Sequence, residues 1–176
     1  MHAVWLILLI FGWLVAALFL VAALKRNRFR IERKVSIRAR PETVFPLINN
    51  LRGFNVWNPY LKMDPAARQT YGAIDEGNGA SYAWESAKTG VGSMEIIESI
   101  PPTKVLMKLE FVKPFRASNF GEFTLSRKGG SCEVTWAMHG PKPFMTRLMT
   151  MFFSMDKMVG REFSKGLAGL KALAEK

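Results

Sequence analysis

The chain has 176 residues, 49% of them hydrophobic, and 25 Lys and Arg against 14 Asp and Glu give it a formal charge of +11 at pH 7. A single cysteine excludes an internal disulfide, and two distant histidines argue against a histidine-based metal centre. No dinucleotide fingerprint, phosphate loop, nucleophile elbow or zinc-protease motif occurs, so neither a cofactor nor a metal is expected. Nucleic acid is not expected either, because the basic residues beyond position 30 are scattered among apolar ones without a basic helix or a binding motif.

The first element is a run of 22 residues, Ala3 to Leu24, without a charge, amide or hydroxyl. As a helix it would span about 33 Å, close to the roughly 30 Å core of a bilayer. It is longer than the apolar stretch of a signal peptide and lacks the usual basic beginning, so a retained single-pass anchor is the reading, with a cleaved signal, a periplasmic uncleaved anchor or a buried helix of the domain as the alternatives. Lys25, Arg26, Arg28 and Arg30 follow it. Their position predicts that the C-terminal part is cytoplasmic and that residues 25–30 meet anionic headgroups. Residues 1–30 are therefore expected to be an anchor with a basic linker, and residues 31–176 one domain.

Alternation predicts a first strand over Ile31 to Arg38, after which Pro41 opens a short helix that Pro46 limits or bends. Gly53 begins a segment read as irregular, Phe54 to Tyr60, with three aromatics and a proline in seven residues. It reads as a packed corner or as the wall of an apolar ligand site. Further strands are expected over Arg68 to Gly72, Ala80 to Ala87, Val91 to Ile100, Val105 to Val112, Asn119 to Arg127 and Cys132 to His139, separated by glycines and prolines. The connections are too short for helical crossovers, so the strands are antiparallel. Apolar residues at spacings of three and four from Phe144 to Leu173 predict one long helix over about Pro143 to Ala174 that needs a sheet to cover its apolar side.

The sequence from Ser36 to Phe45, the Trp57-Asn58-Pro59 corner, the strand start at Gly90 to Met94 and the ending Phe163 to Lys171 resemble the polyketide cyclase/dehydrase-like branch of the START-like (helix-grip, SRPBCC) superfamily. The resemblance covers about residues 31 to 175. It implies an α+β, helix-grip fold, a six- or seven-stranded antiparallel sheet around a long C-terminal helix with a cavity between them. It also implies relatives that bind lipids, sterols, quinones or hormones, or that cyclise aromatic precursors. On that fold the expected cavity residues are Trp57, Tyr60, Tyr82, Trp84, Met94, Leu109, Phe111, Phe120, Trp136, Met138, Met145, Leu148, Met149 and Phe152, each of which taken singly reads more readily as core. His139 is the candidate acid or base, although alternation sets it opposite Trp136 and Met138. Three functions stay open: a membrane-tethered binder of a lipid, isoprenoid or polycyclic compound, an enzyme acting on such a compound, and a membrane-bound interaction domain without a ligand.

Overall fold

The structure is a computed structural model that describes residues 5, 10–13, 17, 19–21, 23, 27–142 and 154–176. Most of the expected spanning segment lies outside these residues. The described positions within it have helical backbone, and Trp5, Phe11, Trp13 and Leu20 are more than half exposed. Among the described residues no helix is long and apolar enough to cross a membrane.

The chain continues with β1 (Arg28–Ile37) and four short helices, α1 (Pro41–Val44), α2 (Pro46–Asn49), α3 (Leu51–Trp57) and α4 (Pro59–Met63). Six strands follow, β2 (Arg68–Tyr71), β3 (Ser81–Ser86), β4 (Gly90–Ile100), β5 (Lys104–Lys113), β6 (Ala117–Lys128) and β7 (Ser131–Pro141), and then α5 (Met155–Ala174). All seven strands form one sheet in the order β1-β7-β6-β5-β4-β3-β2. Every pairing is antiparallel, as the short connections require. The α+β architecture is that of a helix held by a sheet.

Strand parity decides what faces the helix. In β6, Asn119, Gly121, Phe123 and Leu125 are buried on the inner face, while Phe120, Glu122 and Thr124 point the other way. Strand β1 begins at Arg28, so the basic linker is shorter than residues 25–30. Arg28 and Arg30 are strand residues, and Arg30 pairs with Glu32 and Glu122.

The segment read as irregular is two helices. Asn50 caps α3 by accepting from the N–H groups of Arg52 and Gly53, and Asn58 caps α4 by accepting from that of Tyr60. Proline opens α1, α2 and α4, where its missing N–H is no loss.

Helix α5 starts at Met155, not at Pro143. Ser154 is extended and accepts from the Lys157 N–H, and Asp156 stands in the first turn, where the helix dipole favours it. Residues 143–153, the rest of the expected helix, lie outside the described residues. From α5, Phe163, Leu167 and Leu170 are buried. Phe163 stacks on Trp136 of β7 at 4.0 Å and 9°. Gly166 permits this approach, since a Cβ there would lie 2.7 Å from the Trp136 ring and 2.9 Å from Pro59.

The start of α5 is held by Arg33 of β1, whose Nη1 and Nη2 donate to Asp156 Oδ1 and Oδ2 at 3.0 and 2.9 Å. The guanidinium hydrogen bond keeps the Asp156 carboxyl below its ordinary pKa. A lowered pKa means that the unfolded state takes up the proton first, so the contribution is present above the ordinary aspartate value and lost as pH falls. Asp156→Asn is therefore expected to lower the melting temperature slightly near neutral pH and low salt. The difference from wild type should shrink in high salt, and should begin to fall only as pH drops through the ordinary aspartate value of about 3.9, disappearing below the lowered folded value. Identical melting curves at low salt and neutral pH would show that the pair holds nothing.

Candidate functional site

Between the α3–α4 corner and the inner face of β3, β4 and β7 lies a cavity of about 80 Å³. Phe54, Asn58, Tyr60 and Leu61 form its helical wall, Tyr82, Trp84, Met94 and Trp136 its sheet wall, and Ala67 and Thr89 stand at one end. Asn58 produces the helical wall. Its capping bond lets Pro59 start a new helix immediately after α3, so Tyr60 and Leu61 join Phe54 in one wall from the next helix.

The sheet wall depends on Gly92, which pairs with Trp84 across the β3–β4 ladder beside a register shift. A Cβ at Gly92 would lie 2.5 Å from the Trp84 ring and 2.7 Å from the Glu110 carbonyl. The missing side chain is what lets the indole lie over β4. There Trp84 stacks on Tyr82 at 5.9 Å and meets the edge of Phe111 at 5.8 Å. A filled aromatic cluster lies behind the cavity, where Trp57 packs edge-on against Phe54, Phe123 and Trp136.

The few polar groups in the lining are neutral. Asn58 spends its amide on Asn55 Oδ1 at 3.0 Å and its oxygen on the Tyr60 N–H at 3.1 Å. Burial pushes the Tyr82 hydroxyl up to about 12, and burial followed by the charge of Glu162 pushes Tyr60 higher still. Both remain hydrogen-bond donors at neutral pH and cannot serve as bases there. A raised tyrosine pKa stabilises the fold below the ordinary value and is lost as pH rises through the folded value. Stability is thus expected to fall above about pH 10. In a Tyr71→Phe background, phenolate absorbance should develop later in the folded chain than in the denatured one, and coincident titrations would contradict the buried placement.

Of the residues expected to line a cavity, Tyr60, Tyr82, Trp84, Met94 and Trp136 surround this one. Four others do not. Trp57 is only 1% exposed and donates from Nε1 to the Leu47 carbonyl at 2.8 Å, so it fills core. Leu109 and Met138 pack against that core from the inner face. Phe111 supports Trp84 and borders a separate surface depression with Val112 and Arg116.

Two expectations are corrected by strand parity. Phe120 and His139 lie on the outer face, stacked on each other at 5.5 Å and 23°, with the sheet between them and the cavity. His139 is therefore not an acid or base of this cavity, and no carboxylate or imidazole stands among the described lining residues. Met145, Leu148, Met149 and Phe152 lie outside the described residues. The lining also includes Phe54 and Asn58, from the segment read as a packed corner or ligand-site wall, and Leu61, Ala67 and Thr89, which the sequence does not mark. Phe54, three residues before Trp57 in the aromatic corner, had a detectable signal. Ala67 and Thr89 are brought in by tertiary structure alone. Among the described residues no group of three or more His, Cys, Asp or Glu is placed to hold a metal ion.

A sheet wrapped on a C-terminal helix, with an apolar cavity under the preceding short helices, defines a helix-grip domain. The sequence profile of the family described as polyketide cyclase / dehydrase and lipid transport matches residues 28–175, and the chain belongs to that family. Solved structures agree in fold. Protein CV1439 from Chromobacterium violaceum superposes with a TM-score of 0.60 at 15% identity, over 85% of this chain and 98% of that one. Protein MLL2253 from Mesorhizobium loti gives 0.62 at 13% identity, over 82% and 96%. DynU16, a protein of the dynemicin biosynthetic locus, gives 0.60 at 14% identity, over 86% of this chain and 48% of that one. No curated protein matches the chain in sequence.

Proposed function

We propose that this chain is a membrane-tethered binding domain whose ligand is an apolar small molecule held in the cavity between α3–α4 and the sheet. In this reading residues 3–24 insert in the bilayer, residues 25–27 begin the basic stretch that meets anionic headgroups, and the domain faces the cytoplasm. The observation that carries the ligand assignment is the lining itself, eight of whose ten members are Phe, Tyr, Trp, Leu, Met or Ala, the two tyrosine hydroxyls being neutral. Such a site offers area to hydrocarbon and hardly any charge.

Size narrows the ligand class. An engineered apolar cavity of about 150 Å³ holds one benzene, roughly twice the volume here. The described walls suit the end of an acyl or isoprenoid chain better than a fused polycycle. Catalysis on such a molecule has less support, because proton transfer would need a titrating group near neutrality and the lining supplies only hydroxyls and an amide already engaged. An interaction domain without a ligand gives no reason for an apolar cavity at this place.

The test is native mass spectrometry of the full chain after gentle extraction, with identification of any retained compound. Wild type is expected to carry an unchanged apolar molecule, and Ala67→Phe, which fills one end of the cavity, to lose it while keeping its fold. Retention of the same compound by a folded Ala67→Phe chain would place binding elsewhere. Time-dependent conversion of the compound would favour the enzyme. Removal of residues 1–24 is expected to abolish alkaline-resistant membrane attachment, and unchanged attachment would refute the tether.

A further inference from the structure

The strand register gives the domain two distinct ends. Arg28 pairs with Pro141, Phe111 with Ala117, Val91 with Lys113, Ser86 with Gly90 and Arg68 with Glu85. The start of β1, the β5–β6 hairpin, the β3–β4 turn and the start of β2 therefore share one end of the sheet. Gly90 locks two of these together, since a Cβ there would run into the Lys113 carbonyl and Pro114. The apolar segment enters the domain at this same end. Only residues 25–27 separate Leu24 from Arg28, a reach on the order of 10 Å.

The composition of this end is unlike that of the other. At the tip of the β5–β6 hairpin Phe115 is 68% exposed, and Val112 beside it is 49% exposed. Along this end of the sheet, from edge strand to edge strand, Arg28, Arg68, Lys88, Lys113 and Arg116 are exposed and in no ion pair among the described residues, Lys88 donating to the Met63 carbonyl at 2.9 Å. The acids nearby are few. Asp64 is taken by the Ser86 hydroxyl and the Ala87 N–H, Glu110 by Lys108 and Ser118, and Glu85 stands opposite Arg68. At the far end Arg38 pairs with Glu175, Arg127 with Glu42 and Lys104 with Glu98, leaving Arg40, Lys128 and Lys176 outside ion pairs among the described residues. Thr89 and Ala67, at the end of the cavity, belong to the cationic end.

From these placements we infer that the β5–β6 hairpin and the β3–β4 turn dock on an anionic lipid surface, with Phe115 in the interface and the cavity opening towards lipid. An exposed aromatic flanked on its own hairpin by Lys113 and Arg116, with further cations outside ion pairs along the same end of the sheet, is the composition such a surface recognises. The anchor makes the encounter intramolecular, so modest contacts suffice to keep the end seated. The inference rests on the tethered-binder reading and adds where the ligand enters, directly from the bilayer.

The test uses the full chain in vesicles of phosphatidylcholine with phosphatidylglycerol, labelled with an environment-sensitive fluorophore at Phe115→Cys or, at the far end, Lys128→Cys. Cys132 is fully buried and contributes little labelling. A ten-residue strand separates the ends by about 30 Å, so a lipid-borne quencher should act several-fold more strongly on position 115 than on 128. Each cation contributes on the order of a fivefold preference for the anionic surface, so Lys88→Gln, Lys113→Gln and Arg116→Gln together should lower the docked fraction's equilibrium roughly a hundredfold. Equal quenching at both positions, or indifference to the three substitutions, would overturn the docking. A chain that does not float with vesicles would overturn tether and docking together. A chain that retains its apolar compound while position 115 stays in water would overturn the docking alone.

Discussion

Phe163→Ala is expected to destabilise the domain by about 3 to 5 kcal/mol, the largest effect of any single truncation proposed for this chain. Phe163 is 2% exposed and lies flat on Trp136, which in turn stacks on Phe123 at 5.0 Å. Removing the ring leaves a void between α5 and β7 at the centre of the grip, where Gly166 already brings the two elements as close as they can come. Collapse cannot fill it cheaply. Denaturant unfolding measures the difference, and a loss below about 1 kcal/mol would mean that the ring is not packed as described. Phe163→Leu should recover much of the loss, since it returns most of the apolar volume.

Gly92→Ala is expected to act on stability and binding together. Its Cβ would meet both the Trp84 ring and the Glu110 carbonyl. The carbonyl belongs to the β5 backbone and cannot retreat without parting the ladder, so a cost of about 1 to 3 kcal/mol is expected for overpacking. The indole is the softer neighbour, and its escape route is the cavity. Retained ligand should therefore fall more than stability alone explains. A double-mutant cycle with Trp84→Leu separates the two collisions, because the smaller side chain relieves only the ring contact. Additive effects would show that Trp84 does not rest on Gly92.

Much of the sheet was legible because strand parity is a local property. All seven strands fall close to where alternation and the Gly and Pro separators put them. The same rule contained the remedy for one error. Phe123 and Leu125 face inward, and Phe120 differs from them in parity, so it could not share their face. His139 stands in the same relation to Trp136 and Met138. The α3–α4 corner was harder to read, since Asn58-Pro59 looks like a break and is in fact a cap followed by the first residue of the next helix. The start of α5 carried a signal of its own, Ser154 followed by Asp156, which the longer apolar periodicity concealed. Ala67 and Thr89 had none. They reach the cavity only because β2 and the β3–β4 turn are carried there by the sheet.

The central claim is that an apolar chain occupies the space under α3 and α4. Photo-crosslinking of the full-length protein in membranes with a fatty acid that bears a diazirine near its methyl end tests it most directly. Adducts are expected in the segments 54–67 and 82–94, which contain nine of the cavity's ten lining residues, and should be lost on Ala67→Phe. Adducts confined to residues 3–24 in a folded chain, with none in those two segments, would contradict it.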